Sequence, residues 1–167
     1  MRRRLWALGA ILAALLIVAA IPAAVGGSGK TILRGQTLVG VPTAFTGTRA
    51  PIRGVNGGGV PWVLDFGRVE LSQGGFVSVK VKGLVIDPNA ASAAAGTNPS
   101  PVFRVLVSCL NATAGIDNVL SDPFPATTGL GAGDAEAELQ LAIPDPCIAP
   151  IVFVTSNGGS WFASTGG

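Results

Sequence analysis

The chain of 167 residues contains no histidine and no tyrosine. Without histidine there is no Ser–His or Cys–His nucleophile pair and no imidazole acid–base couple. The missing tyrosine removes a further proton donor, so any catalysis would rest on carboxylates. Charged residues are scarce, at 12% of the chain, and no basic run follows Arg4. Nucleic-acid binding thereby loses its electrostatic footprint. There are only two cysteines, Cys109 and Cys147, too few for a metal centre in a chain that has no histidine to add.

What is present is unevenly placed. Arg2, Arg3 and Arg4 precede twenty-one uncharged residues, Leu5 to Val25. A basic start, an apolar stretch and small residues at its end describe a secretory signal, read as a hydrophobic leader helix. The stretch exceeds the roughly 7–15 residues of a usual signal core and reaches the roughly 20 that span a bilayer. Cleavage between Ala23 and Ser28 is the preferred reading, and an uncleaved anchor over residues 5–25 is the alternative. Either one keeps the arginines cytoplasmic and sends the remainder outside. The chain thus divides into a signal peptide or anchor, residues 1–27, and an extracytoplasmic domain, residues 28–167. From Ser28 onward there are eight bases and nine acids, a net charge of 8 − 9 = −1. In an oxidising compartment the two cysteines are expected to pair with each other.

Beyond residue 30 the helical period is almost absent, while glycine and proline recur every few residues. Within Phe76–Ile86, Val77, Val79 and Val81 alternate with Ser78, Lys80 and Lys82, the pattern of a half-buried strand. Residues 67–72 and the turn Gln73-Gly74-Gly75 make a hairpin into it. Residues 87–101 read as a polar, small-residue loop expected to be mobile. Residues 102–110 read as a more buried strand, with Phe103, Val105, Val107 and Cys109 on one face. Between residues 133 and 143, Asp134, Glu136, Glu138 and Gln140 alternate with Ala135, Ala137, Leu139 and Leu141. Residues 151–155 and 161–164 flank the turn Ser156–Gly159, and weaker strands are expected over 31–39 and 60–65. The sum is about seven to nine short antiparallel strands, hence an all-β sandwich or barrel-like domain.

Several stretches imitate functional motifs. Residues 24–31, AVGGSGKT, end like a phosphate-binding loop, but a leader precedes them and a β-prone segment broken by Gly35 follows. Such a loop must open a helix, so no nucleotide site is assigned. Gly129–Glu136 feeds a strand and carries acids that repel phosphate, and Gly57-Gly58-Gly59 runs into Pro61-Trp62. Both are read as turns. Asp134, Glu136 and Glu138 share a strand face with alternate residues roughly 6.5–7 Å apart. That brushes the carboxylate separation of inverting glycosidases, yet any solvent-facing strand alternates in this way. Pairing with Lys80 and Lys82 on a neighbouring strand is the simpler expectation. Asp117, Asn118, Asp122 and Asp134 offer oxygen ligands but lack the spacing of a calcium loop. Trp62 and Trp161 suit core packing better than sugar stacking. The sequon Asn111-Ala112-Thr113 is read as coincidence. No residue is assigned to catalysis, to a cofactor or to a metal.

Three stretches covering roughly residues 54–164 resemble a family of small exported bacterial β-rich proteins of unassigned function. Its most specific pieces here are VSCL, residues 107–110, and PCIAPIVFV, residues 146–154. The resemblance implies a disulfide-bearing exported domain and transfers no functional residues. The run VSVKVKGL, residues 77–84, is also similar to the CHRD repeat, whose histidine-containing segment is missing here. The expected function is a non-catalytic structural or binding role at the cell surface or in the extracellular space, toward an unknown ligand. No nucleic acid or nucleotide partner is expected, and contact with a membrane is expected only through the N-terminal segment if uncleaved. The alternative is a secreted carboxylate-dependent hydrolase acting on glycans. A third expectation is self-assembly through exposed edge strands.

Overall fold

The computed structural model describes residues 29–35 and 37–166. The leader helix, its cleavage site and most of the 24–31 motif lie outside the described residues. In chain order the strands are β1 Thr31–Gly35, β2 Leu38–Gly40, β3 Trp62–Val63, β4 Phe66–Ser72, β5 Phe76–Lys82, β6 Val85–Ile86 and β7 Thr97–Asn98. They continue as β8 Val102–Leu110, β9 Ile116–Leu120, β10 Phe124–Pro125, β11 Gly129–Leu130, β12 Ala135–Gln140, β13 Ile148–Thr155 and β14 Trp161–Thr165. Eight of these fourteen are five residues or longer, which is the range read from the sequence. The other six are pairings of two or three residues between segments distant in sequence. A single 3₁₀ turn, Thr43–Phe45, is the only helical element among the described residues.

Two antiparallel sheets face each other. One runs β1-β4-β5-β12, and the other runs β10-β8-β13-β14-β2 with β9 paired to β8 below β10. No run of ladder bonds closes them into a barrel, so the architecture is a sandwich. Alternation dictates what lies between the sheets: Val77, Val79 and Val81 of β5 are fully or almost fully buried, as are Val69 and Leu71 of β4. From the opposing sheet come Phe103, Val105, Val107 and Cys109 of β8 with Val152 and Val154 of β13. Each such side chain contributes about 1.5–3 kcal/mol by leaving water. The hairpin β4–β5 turns where Gly75 N–H bonds the Ser72 carbonyl at 3.0 Å. Gly75 has φ +82°, and a Cβ there would overlap the Leu141 carbonyl oxygen. The position therefore demands glycine twice over.

The segment 31–39 is not one strand. The chain leaves the four-stranded sheet after Gly35 and re-enters the six-stranded sheet at Leu38, where β2 pairs β14. The polar run Arg34-Gly35-Gln36-Thr37 marks the break in the sequence, and the partner sheets distinguish the halves. Likewise 76–86 splits at Gly83, whose φ of +61° bends the chain between β5 and β6. Residues 87–101 hold a series of bonded turns: Asn89 and Ala90 N–H both point back to Asp87, and Asn98 is buried with its amide on the Ser100 and Thr127 carbonyls.

Cys109 and Cys147 form a disulfide, with Cα atoms 5.0 Å apart. Cys147 immediately precedes β13, the ladder partner of β8, so the bond fastens the loop after β12 to the centre of the six-stranded sheet. Closing a loop of 38 residues removes unfolded-state entropy worth about 4 kcal/mol on the chain-entropy account.

Candidate functional site

The acids singled out in the sequence lie on β12, at the free edge of the four-stranded sheet. Its register with β5 sets Glu136 against Lys80 and Glu138 against Ser78. Lys80 Nζ donates to Glu136 Oε2 at 2.7 Å, the expected cross-strand pair. Both side chains are exposed, so the pair stabilises by at most about 1 kcal/mol. Asp134 sits just ahead of the strand, where its Oδ1 accepts the Gly83 N–H at 2.9 Å. The Thr127 hydroxyl in turn accepts the N–H groups of Gly133 and Asp134. Asp134 thus anchors the turn between β5 and β6, and the carboxylates do not converge on a common point.

Lys80, Lys82, Thr127, Asp134 and Glu136 border a wide, open depression of about 570 Å³. No aromatic side chain lines it. Lys82, expected with Lys80 as a cross-strand partner of the acids, makes no ion pair among the described residues, and Thr127 was not singled out in the sequence. Lys82 follows from strand alternation, whereas Thr127 is brought in by the turn over residues 127–134, whose bonds from Gly133 and Asp134 to the Thr127 hydroxyl no strand alternation announces. The neighbouring rows of the same sheet face hold Arg34, Arg68 and Glu70, with both guanidinium groups 2.9 Å from Glu70 Oε1. The hydrogen bond from Arg68 is the main cause that holds the Glu70 carboxyl below its ordinary range; desolvation opposes it, and the charges of Arg34 and Arg68 reinforce it. The same face also carries Ser78 and Phe66, the latter exposed and opposite Lys82.

The tryptophans are elsewhere. Trp161 is 2% exposed and packs against Phe45 and Phe153, with ring centroids 6.3 and 5.9 Å away. Trp62 is buried with one ring face stacked on Phe162 at 3.8 Å. Both take the core role expected of them, and neither offers a platform to a sugar.

Asp117 and Asn118 lie on β9, Asp122 follows it, and Asp134 is on the opposite sheet's side. Asp117 Oδ2 accepts from Asn111 Nδ2 at 3.1 Å, and Asn118 Nδ2 donates to the Arg53 carbonyl at 3.0 Å. No group of three or more acidic, cysteine or histidine side chains suited to a metal occurs among the described residues. Asn111 of the sequon caps its own turn, its Oδ1 accepting from the Thr113 and Gly115 N–H groups. Gly29, Lys30 and Thr31 run directly into β1 instead of opening a helix. Gly129 and Leu130 pair with β7 before the chain enters β12, and Gly57 forms a bridge to Trp161. Among the described residues none of these glycine-rich stretches opens a helix. Among the described residues no helix is long and apolar enough to cross a membrane.

Fold and site together define a disulfide-stapled all-β sandwich with one open, ion-paired sheet face. No protein-family model, curated protein or solved structure matches the chain.

Proposed function

We propose that this chain is an exported, non-catalytic β-domain with a structural or binding role at the cell surface or in the extracellular space. The observation that carries the reading is the Cys109–Cys147 bond, buried at Cys109 in the centre of an otherwise apolar sandwich. Such bonds persist in oxidising compartments, and a basic, apolar N-terminal segment supplies the export signal. The non-catalytic part rests on the acids. Glycan hydrolysis needs two carboxylates facing each other across a substrate cleft. Here Glu136 is paired with Lys80 on an open face, Asp134 is occupied by a turn, and Trp62 and Trp161 are buried inside the protein.

Fractionation of cells expressing the full chain, followed by alkylation with and without reductant, tests this. The protein is expected outside the cytoplasmic membrane with neither thiol alkylated until it is reduced. Recovery in the cytoplasm with both thiols reactive would overturn the export reading. Turnover of a polysaccharide panel that disappears in Glu136→Gln would overturn the non-catalytic one.

A further inference from the structure

Each sheet exposes one long edge on the same side of the sandwich, and the two edges are chemically different. On β12 no other strand among the described residues bonds the outer side of residues 136, 138 and 140. On β9 the only ladder partner among the described residues is β8. Ser121 N–H bonds the Val105 carbonyl, which fixes the phase of this ladder. Residues 117 and 119 direct their main-chain groups toward β8, and residues 116, 118 and 120 direct theirs outward. No backbone group among the described residues bonds these outward groups. Ile116 and Leu120, on the same strand face, are 50% and 37% exposed. A depression of about 410 Å³ between β9 and residues 142–144 keeps this edge open.

We infer that β9 is a self-complementary edge through which two copies of this chain pair antiparallel about a two-fold axis at Asn118. In that register the faces of the strand are preserved, as an isologous contact requires. Ile116 of one copy lies opposite Leu120 of the other, twice, and Asn118 lies opposite its own equivalent. On the inner face Asp117 meets Val119, so no like charges are opposed. The Asp117 carboxylate is already turned back onto Asn111. Residues 116, 118 and 120 exchange both main-chain groups with their opposite numbers, which joins the two six-stranded sheets into one. Cross-strand apolar pairs of this kind each stabilise modestly.

The other edge is built against the same event. A two-fold pairing that uses most of β12 centres on Ala137 or Glu138. The first sets Glu136 against Glu138 twice, and the second sets Glu138 against itself. Charged residues at a sheet edge discourage pairing in this way. The second copy is therefore expected to choose β9, and because a five-residue edge is small, the dimer is weak and concentration-dependent.

Sedimentation of the full chain in mild detergent, from micromolar to millimolar protein, is the test. Any association through the leader is common to all variants, so differences between them report on β9. Asn118→Pro removes an outward N–H without touching a bond to β8, and proline is tolerated at such edge positions. It is expected to abolish the β9-dependent association while leaving the thermal transition within a few degrees. Ile116→Lys and Leu120→Glu are each expected to weaken association roughly tenfold. Mixing those two variants is expected to restore it, since lysine then faces glutamate across the axis. Restoration is a result that a misfolded variant cannot imitate. A wild-type chain whose association is unchanged by Asn118→Pro, or a mixture that associates no better than its components, would overturn the proposal.

Discussion

The outer faces of the two sheets have opposite fates. That of the four-stranded sheet is left to water and carries Arg34, Arg68, Glu70, Lys80 and Glu136 in paired rows. That of the six-stranded sheet is roofed by residues 41–60. The roof is held by main chain: Gly58 N–H bonds the Trp161 carbonyl at 2.8 Å and Trp161 N–H bonds the Asn56 carbonyl at 2.9 Å. Arg53, with φ +49°, reaches the Ser108 carbonyl at 3.1 Å. Beneath it Leu106, Phe153 and Trp161 make a second apolar layer on the far side of the strands that already line the central core. A sheet covered on one face only is stabilised by its alternation, whereas a sheet covered on both must be apolar throughout. The polar atoms that do fall in the second layer are under strain for partners: Ser108 Oγ and Trp161 Nε1 are buried and unbonded among the described residues.

That contrast sets the order of expected effects. Trp161→Ala empties the roofed layer and should lower unfolding free energy by about 3–5 kcal/mol in denaturant titration. A loss below about 1 kcal/mol would mean the roof is not part of the cooperative core. Replacing Cys109 and Cys147 together by alanine should cost about 2–5 kcal/mol, read as a lower thermal midpoint than that of the oxidised chain. Ser108→Ala should go the other way, raising stability by about 1 kcal/mol, because it removes a buried oxygen without breaking a bond. Destabilisation there would reveal a partner for the hydroxyl. On the open face, Lys80→Ala should change stability by less than about 1 kcal/mol, and less still at high salt.

The smallest effect concerns pH. Glu70 is lowered in the folded chain, so its contribution is present above the unfolded carboxyl pKa and is lost as pH falls through the folded value. In Arg68→Ala the Glu70 carboxyl should titrate higher than in the wild type. Carbon-detected NMR titration reads this directly, and an unmoved midpoint would assign the shift to Arg34 instead.

The same contrast explains what could be read from the sequence. The strands of the open sheet were legible because one face meets water: the alternation of Val77 to Lys82 and of Ala135 to Gln140 is the burial pattern itself. The acids of β12 could be paired with Lys80 for the same reason. In β8 the alternating set Phe103 to Cys109 was visible, but the burial of Leu106 and Ser108 was not. The near-continuous apolar run of β8 marks it as more buried than its neighbours, but no local pattern names a glycine- and proline-rich loop as the cover. The roof itself was invisible because its main-chain bonds, and the Arg53 and Asn118 side-chain bonds that join it to the sheet, link residues far apart in sequence. The crossing between β1 and β2 was missed because Gly35 reads only as an interruption, and nothing local assigns the residues before and after it to different sheets.

That crossing has a consequence for the order in which the structure can form. β2, near the beginning of the sandwich, finds its ladder partner in β14, with Ala163 opposite Gly40 and Thr165 opposite Leu38. Gly35 lies so close to Thr165 that an added Cβ would be 2.9 Å from its Cγ2. The earliest strands to be synthesised therefore wait for the latest, and more than a hundred intervening residues must be placed before that pairing closes. Such distant contacts are costly in loop entropy and slow to form. The two-sheet frame cannot complete itself on a partial chain, so the polypeptide stays pliable until its last strand is free to dock.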